Sequence, residues 1–295
     1  MKPDSRFLGR SMRFWAHAKF LSEQLGYTQR QPKGTPKRKS AADGALPEVS
    51  QARSYTVPEA RDLLLRSTLS ADDHLVVDVV EYLNWRACLL NRIVYPLLMN
   101  REQAALAYVQ LKAKTGSARD PSMNRQTGDK KHPAYLASMV ALVAESVLGS
   151  AGFIDDAQRL SVVTRNNILE GIFSRRFDGA TPDTKDPKAV WEIKEYYNDK
   201  SFGSRVAGGV YETLLDGYEV EGARKELNTE IKHFLFIDAR DAWWTRGKSY
   251  LCRMIDMLHT GHVDQIFFGR EVLTEWETAL RNFAGTPPVP EVVLA

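Results

Sequence analysis

The sequence predicts an α/β protein with a mainly helical N-terminal part, and two observations lead to this prediction. In the first half of the chain, apolar residues recur every three or four positions, which is the period of an amphipathic helix. From about residue 158, helical patterns alternate with short apolar runs typical of strands, and this order predicts a mixed sheet flanked by helices. We therefore divide the chain into residues 1–150, a helical scaffold, and residues 151–295, an α/β core.

The helical half has two clear apolar stripes. Residues 132–150 carry one of them, between Pro133 and Gly149, which are typical of a helix start and a helix end. The other has the same spacing earlier in the chain, at Val76, Val79, Val80, Leu83 and Ala87. We interpret both stripes as core positions of a scaffold.

The second half begins with a predicted helix over 158–173, followed by two β-like segments, 175–181 and 188–197, joined by the polar loop PDTKDP. A hairpin is the natural interpretation of these two segments. Alternating helices and buried strands follow, over 203–227 (helix), 233–239 (strand), 248–261 (helix), 263–269 (strand) and 271–283 (helix).

The hairpin brings charged residues together. Residues two apart on one strand share a face, so Glu192 and Lys194 point to the same side of the sheet. A loop centred near 184 or 185 places Asp178 opposite Trp191 to Glu192 on the partner strand. Two carboxylates this close repel unless a cation neutralises them, and oxygen ligands suit Mg²⁺. A lysine beside the metal can orient or deprotonate a water, so the pattern predicts phosphodiester hydrolysis.

The Glu-x-Lys pattern alone is not specific, because Asp183-Thr-Lys185, Asp186-Pro-Lys188 and Glu230-Ile-Lys232 also match it. The first two lie in the polar loop, and the third precedes its strand with no hairpin acid upstream. Context therefore selects Glu192-Ile-Lys194. The alternative interpretation is a charge pair on an exposed sheet face.

The stretch RFDGATPDTKDPKAVWEIKEYY, continuing into NDKSFGSRVAGGVYETLLDGYE, resembles the PD-(D/E)xK nuclease superfamily, in particular type II restriction endonucleases. The resemblance covers about residues 158–283 and implies a restriction-endonuclease-like mixed sheet. It implies Mg²⁺ at Asp178, Glu192 and Ile193, and an acid from the preceding helix, for which Glu170 is the candidate. It also implies products with 5′-phosphate and 3′-hydroxyl ends.

One feature departs from the family pattern, because Phe177 precedes Asp178, whereas a literal Pro-Asp occurs at Pro182-Asp183. We favour Asp178, since Gly179 beside it permits close backbone approach and the hairpin register fits. Asp183 remains the alternative first metal ligand. Glu170 has an alternative interpretation as a surface helix glutamate.

Net charge is +3, but residues 1–53 carry +7 and the remainder −4. Two Lys/Arg-rich stretches among Pro and Gly suit contact with a phosphate backbone, and their alternative role is surface solubility. The predicted nucleic-acid contacts are Arg30, Lys33, Lys37, Arg38 and Lys39 in a basic arm, Arg119, Asn124, Arg125, Lys130 and Lys131 in the loop 112–133, and Arg205 on the helix after the hairpin.

These features predict a Mg²⁺-dependent type II restriction endonuclease that cuts double-stranded DNA at a short sequence as a homodimer, with recognition assigned largely to the helical half. Two alternatives remain, a related nuclease of repair or phage defence without strict specificity, and a non-catalytic DNA-binding protein of the same fold. No apolar run is long enough for a membrane span, and no phosphate-binding loop of the ATPase type is present. The two cysteines, Cys88 and Cys252, indicate a reduced, cytoplasmic setting.

Overall fold

The structure, a computed structural model, describes residues 1–29, 51–70, 72–124, 127–128, 131–197 and 204–284. The N-terminal helices pack around one apolar core that includes Phe14, Leu64 and Tyr82. Their bounds are α1 Met12–Leu25, α2 Val57–Arg66 and α3 Asp73–Leu89. Helix α2 begins with a capping box in which Thr56 and Glu59 exchange hydrogen bonds, as the sequence pattern Thr-x-x-Glu favours.

Helix α3 continues through a π-helical segment, Leu90–Val94, into the short α4, Tyr95–Leu97. Two longer helices follow, α5 Arg101–Thr115 and α6 Tyr135–Leu148, and they pack against each other. The predicted helix over 132–150 is therefore confirmed as α6, which ends before Gly149.

Five strands form the central sheet: β1 Ile154–Asp155, β4 Gly179–Thr181, β5 Ala189–Glu195, β6 Lys232–Asp238 and β7 Gln265–Phe268. Their order across the sheet is β1-β4-β5-β6-β7, and β2 (Val162–Arg165) and β3 (Ile168–Ile172) form a separate hairpin. The pairs β1–β4 and β4–β5 are antiparallel, whereas β5–β6 and β6–β7 are parallel. The sheet is therefore mixed, as predicted.

Helices cover both faces of this sheet. Helices α5, α6 and α9 (Glu275–Ala284) lie on the face that carries Trp191, Phe236 and Phe267. Helices α7 (Ser204–Leu227) and α8 (Lys248–Thr260) cover the face that carries Leu235 and Ile237. Because side chains alternate along a strand, Glu192 and Lys194 of β5 lie on the second face, beneath α7. The α/β prediction for this half is thus confirmed.

The predicted helix over 158–173 is wrong. This stretch forms a separate two-stranded antiparallel sheet, β2 (Val162–Arg165) and β3 (Ile168–Ile172). Asn166 and Asn167 both have positive φ, 50° and 61°, which is the conformation that a two-residue turn of type I′ requires. Asparagine tolerates this conformation better than most residues, so the Asn-Asn pair marks a hairpin.

Two further findings concern the described part of the chain. None of its helices combines the length and the apolarity that crossing a membrane would need. Cys88 and Cys252 are both free thiols, the first exposed on α3 and the second buried in α8.

Candidate active site

The predicted register of the hairpin is confirmed. Gly179 pairs with Trp191, so Asp178 comes opposite Glu192 on the neighbouring strand. The Oδ2 atom of Asp178 accepts a hydrogen bond of 2.8 Å from the backbone N–H of Ile193. Gly179 is required here because a Cβ atom at this position would lie 2.1 Å from Cε2 of Trp191. The glycine lets the β4 backbone pass under the indole and brings Asp178 to the strand that carries Glu192.

Glu192 and Lys194 form a buried ion pair. The Lys194 Nζ atom donates to Oε2 of Glu192 at 3.0 Å, and the two residues are 5% and 1% exposed. The alternative interpretation, a charge pair on an exposed sheet face, is therefore wrong. A Cβ at Gly209 of α7 would lie 2.9 Å from the Tyr196 hydroxyl oxygen and 3.4 Å from Cδ of Lys194, so the glycine leaves space for the tyrosine hydroxyl beside the lysine stem.

Helix α7 supplies two acids that the sequence did not reveal, Glu212 and Asp216. Glu212 Oε2 accepts from Lys194 Nζ at 2.8 Å. Asp216 is fully buried, and its Oδ2 accepts from Arg175 Nη1 at 2.7 Å. The two residues are four apart, so they lie on one face of the helix, above Glu192.

Arg175, on the irregular segment between β3 and β4, completes the group. Its Nη1 lies 2.9 Å from Oε1 of Glu192, and its Nη2 lies 3.5 Å from Oε2 of Glu212. We call the six residues the ion cluster: Arg175, Asp178, Glu192, Lys194, Glu212 and Asp216. It holds four carboxylates and two cations, so two negative charges are in excess when every group is ionised.

Burial and the excess of negative charge shift the pKa values of residues in the ion cluster. Burial, together with the nearby Glu192 carboxylate, raises the pKa of Asp216 to about 7, although Arg175 opposes the rise. Burial alone would lower the pKa of Lys194, but Glu192, Asp178 and Glu212 outweigh it and raise that pKa. Partial burial also works against ionisation of Glu212, yet the hydrogen bond from Lys194 lowers the pKa of that carboxyl.

Two buried carboxylate oxygens of the ion cluster, Oε1 of Glu192 and Oδ1 of Asp216, have no hydrogen-bond partner among the described residues. Glu192 Oε1 is close to Arg175, but the contact lacks hydrogen-bond geometry. Buried acceptors normally find a donor or a cation, so this pair of oxygens fits a cation ligand. Across the described ranges, however, no three Asp, Glu, His or Cys side chains already surround one point as metal ligands. Arg175 occupies the position between Glu192 and Asp216.

The remaining predicted metal residues lie elsewhere or act differently. Glu170 is on strand β3, not on a helix, and its Oε2 is 3.3 Å from Nε of Arg165. It lines a groove of about 220 Å³ between the β2–β3 hairpin and α7. Ile193 contributes the N–H that orients Asp178. Asp183 accepts from Nη2 of Arg159 at 2.7 Å, in the loop after β4, so the structure brings Asp178 and not Asp183 to Glu192.

The acid that follows Lys194 on the same strand is not part of the ion cluster. Glu195 points to the opposite face of the sheet, where its Oε2 accepts from the backbone N–H of Ala137 at 3.1 Å. Helix α6 has no side-chain cap of its own, so Glu195 serves its first turn. Because side chains alternate along the strand, Glu195 caps α6 on one face of the sheet, whereas Glu192, three residues earlier, lies in the ion cluster on the other face.

The predicted nucleic-acid contacts fall into two groups. Arg119 makes a two-pronged ion pair with Asp155, at 2.9 and 3.2 Å, and Asn124 hydrogen-bonds to the His132 backbone and ring. Lys131 is exposed. The other group lies outside the described residues, or its side chains do: Arg30, Lys33, Lys37, Arg38, Lys39, Arg125, Lys130 and Arg205.

The chain belongs to the family described as a domain of unknown function, DUF7687, whose model matches residues 99–283. A second model, domain of unknown function DUF7690, matches residues 1–93. No curated protein and no solved structure matches the chain. All six residues of the ion cluster fall within 99–283. The matched range also includes α5 and α6, which pack on the sheet together with α9.

Proposed function

We propose that this protein is a Mg²⁺-dependent nuclease that hydrolyses phosphodiester bonds of double-stranded DNA through a site of the PD-(D/E)xK kind. The observation that supports it most is the convergence of Asp178, which immediately precedes β4, with Glu192 and Lys194 of β5, beside two buried carboxylate oxygens that lack hydrogen-bond partners within the described structure. The restriction-endonuclease-like fold is part of the same proposal. It is supported by an antiparallel β4–β5 pair followed by a parallel β6.

Each residue has a distinct role in this proposal. Asp178 and Glu192 hold the metal, and the Ile193 N–H fixes the orientation of Asp178. Bound Mg²⁺ supplies Lewis acidity and a more acidic water. Lys194 donates to Glu192 and Glu212 together, at 3.0 and 2.8 Å, which suits an ammonium group that orients the attacking water and balances the phosphate charge.

A set of matched variants tests this assignment. Asp178→Ala, Glu192→Ala and Lys194→Ala are each expected to abolish cleavage of a labelled duplex in Mg²⁺, with duplex binding retained. Asp183→Ala, which removes an acid five residues from Asp178, is expected to cleave as the unchanged protein does. If Asp183→Ala is inactive and Asp178→Ala is active, the first ligand is Asp183. Full cleavage by Glu192→Ala would end the assignment of nuclease activity to this hairpin.

Sequence-specific cutting by a homodimer is the more particular form of the proposal. One ion cluster serves one strand, so two subunits related by two-fold symmetry are the simplest match for two-fold symmetric DNA. Mapping the ends produced from one long natural DNA, together with sedimentation on a short duplex, tests this form. Ends at one short sequence and a dimer on the duplex are expected.

A second candidate is a nuclease of the same chemistry without strict sequence specificity, as in repair or phage defence. The internal partners of Arg119 and Asn124 favour it, because side chains engaged with Asp155 and His132 are not presented to base edges. Ends at random positions, or preference for single strands or RNA, would select this candidate. Duplex binding that is indifferent to Mg²⁺ and never leads to cleavage would instead indicate a non-catalytic DNA-binding protein.

A further inference from the structure

The position of Arg175 has a consequence for the proposed metal site. Its Nη1 lies 2.9 Å from Oε1 of Glu192 and 2.7 Å from Oδ2 of Asp216, so a positive charge sits between two carboxylates that are 1% and 0% exposed. A guanidinium and a divalent ion cannot share this position, because like charges at such distances repel strongly in a buried site. A metal ion that binds Glu192 Oε1 must therefore displace Arg175.

The contacts that Arg175 makes with the two carboxylates are ones that a metal ion could replace. Neither Glu192 Oε1 nor Asp216 Oδ1 receives a hydrogen bond from the described residues, so the guanidinium leaves part of the buried acceptor capacity unused. An arginine with a purely structural role is expected to donate hydrogen bonds from two of its nitrogen atoms to such oxygens. A divalent ion, which binds oxygen atoms directly at about 2.0–2.1 Å when it is Mg²⁺, would use them.

The side chain also has a route out of the ion cluster. Arg175 is 27% exposed, and its Nη2 already reaches towards Glu212, whose side chain is 48% exposed. Its backbone is held in place, since Phe173 and Phe177 are buried and the Ser174 N–H donates to Oε2 of Glu219 at 3.0 Å. The side chain of Lys194, in contrast, is only 6% exposed and lies between Glu192 and Glu212. Of the two cations in the ion cluster, Arg175 is therefore the one with a path to solvent.

We propose that a divalent cation binds between Glu192 and Asp216, at the position that Arg175 now holds, so that Asp216 is a further metal ligand and Arg175 is the counter-ion that the metal must displace. This inference rests on the proposed nuclease function, and it concerns the metal site of that function. It makes Arg175 a regulator of metal occupancy, because its charge sets the metal concentration at which the site fills.

The proposal predicts changes of opposite sign at two residues in direct contact. Arg175→Gln removes the competing charge and is expected to tighten metal binding by about tenfold or more. Arg175→Lys keeps a positive charge and is expected to stay near the unchanged protein. Asp216→Asn removes a ligand charge and is expected to weaken metal binding by about tenfold or more. General damage to the fold would weaken binding in all variants alike, so it cannot imitate this pattern.

Calorimetric titration of the full chain with Mn²⁺ or Mg²⁺, without DNA, measures these changes independently of cleavage. Two control variants match the substitutions. Arg176→Gln removes the same charge one residue away, where Nη1 contacts Gln158, and Glu221→Gln neutralises an acid of α7 whose ion pair with Lys225 is exposed. Both are expected to bind the metal as the unchanged protein does. Circular dichroism confirms that each variant is folded.

The outcomes separate this inference from the proposed function. If the unchanged protein binds the metal, and Arg175→Gln binds it equally or more weakly, the displacement of Arg175 is wrong while the nuclease proposal stands. If Asp216→Asn binds the metal as tightly as the unchanged protein, Asp216 is not a ligand. If the unchanged protein binds neither metal ion, the inference and the metal-dependent nuclease are both overturned. Tighter binding by Arg175→Gln and weaker binding by Asp216→Asn support the inference, whether or not DNA is cut.

Discussion

Replacement of Lys194 by methionine should destabilise the protein strongly, because it leaves the buried Glu192 carboxylate with only one of the two cations that contact it. The ammonium is 3.0 Å from Oε2 of Glu192, and the pair is almost fully removed from water. Breaking a buried pair by removing one partner costs about 3–5 kcal/mol. Arg175 still lies 2.9 Å from Oε1 of Glu192, so we expect the lower end of this range, about 3 kcal/mol.

The free-energy losses from replacing Lys194 and Glu192 should not be additive, because the two charges contact each other. In the double variant Lys194→Met, Glu192→Leu, both charges are replaced by apolar groups, and a well-packed apolar replacement of a buried pair is often close to neutral. The double variant should therefore be more stable than Lys194→Met alone, with a coupling free energy of about 2–3 kcal/mol. Lys225→Met is the matched control, because its ion pair with Glu221 is exposed and should contribute less than about 1 kcal/mol.

Thermal unfolding followed by circular dichroism at pH 7.5 measures these effects. A change of 1 kcal/mol shifts the Tm of a domain of 150–250 residues by about 2–4 °C, so Lys194→Met should lower Tm by roughly 6 °C or more. The control should shift it by no more than about 4 °C. A Tm for Lys194→Met equal to that of the control, or effects of Lys194→Met and Glu192→Leu that simply add, would refute the buried, coupled pair.

Three other predictions follow from the same structure. Gly179→Ala should destabilise the hairpin by several kcal/mol and abolish cleavage, since its Cβ would lie 2.1 Å from Trp191. The control Gly208→Ala should be tolerated, because a Cβ at Gly208 meets no atom within 4 Å. Equal Tm values for the two variants would contradict the close approach of Gly179 to Trp191. Burial raises the pKa of Asp238 to about 7, so the folded state binds this proton more tightly than the unfolded state does. The free energy of unfolding therefore falls by up to about 1.4 kcal/mol per pH unit as the pH rises from 4 to 7. Urea unfolding of Asp238→Asn should lack that part of the pH dependence, and an unchanged dependence would show that the carboxylate is ionised throughout. Replacing Lys33, Lys37 and Lys39 by Gln should weaken binding to all duplexes alike. The slope of the logarithm of the binding constant against the logarithm of the salt concentration should become shallower by about one unit per lost phosphate contact. Weaker binding to one sequence only would mean that these residues read bases.

Strand alternation and helical period predicted much of the fold from the sequence. They placed Glu192 and Lys194 on one face, and they identified β6, α8 and β7 from apolar runs and stripes. The helix expected over 158–173 is wrong, because the spacing of its apolar residues is compatible with a helix whereas the Asn166-Asn167 turn makes the stretch a hairpin. Glu170 was consequently assigned to a helix and to the metal.

The ion cluster could be predicted only in part, because half of it depends on tertiary contacts. Asp178, Glu192 and Lys194 follow from the hairpin register. Asp216 had a weak signal, since it falls in the inward-facing stripe of α7 with Val206, Val210 and Val220, where an acid is unexpected unless it has a partner. Glu212 resembles an ordinary surface glutamate. Arg175 lies in an irregular segment with no periodicity, so nothing in the sequence places its guanidinium between two buried carboxylates.

We propose that the ion cluster catalyses attack of water on a phosphodiester bond, and incorporation of ¹⁸O from the solvent into the product measures this reaction. A duplex is incubated with the protein and Mg²⁺ in water enriched in ¹⁸O, and the new termini are analysed by mass spectrometry. We expect one ¹⁸O atom in each new 5′-phosphate, dependent on Mg²⁺ and lost in Glu192→Gln. An absence of new termini with the unchanged protein, or equal incorporation by Glu192→Gln, would contradict it.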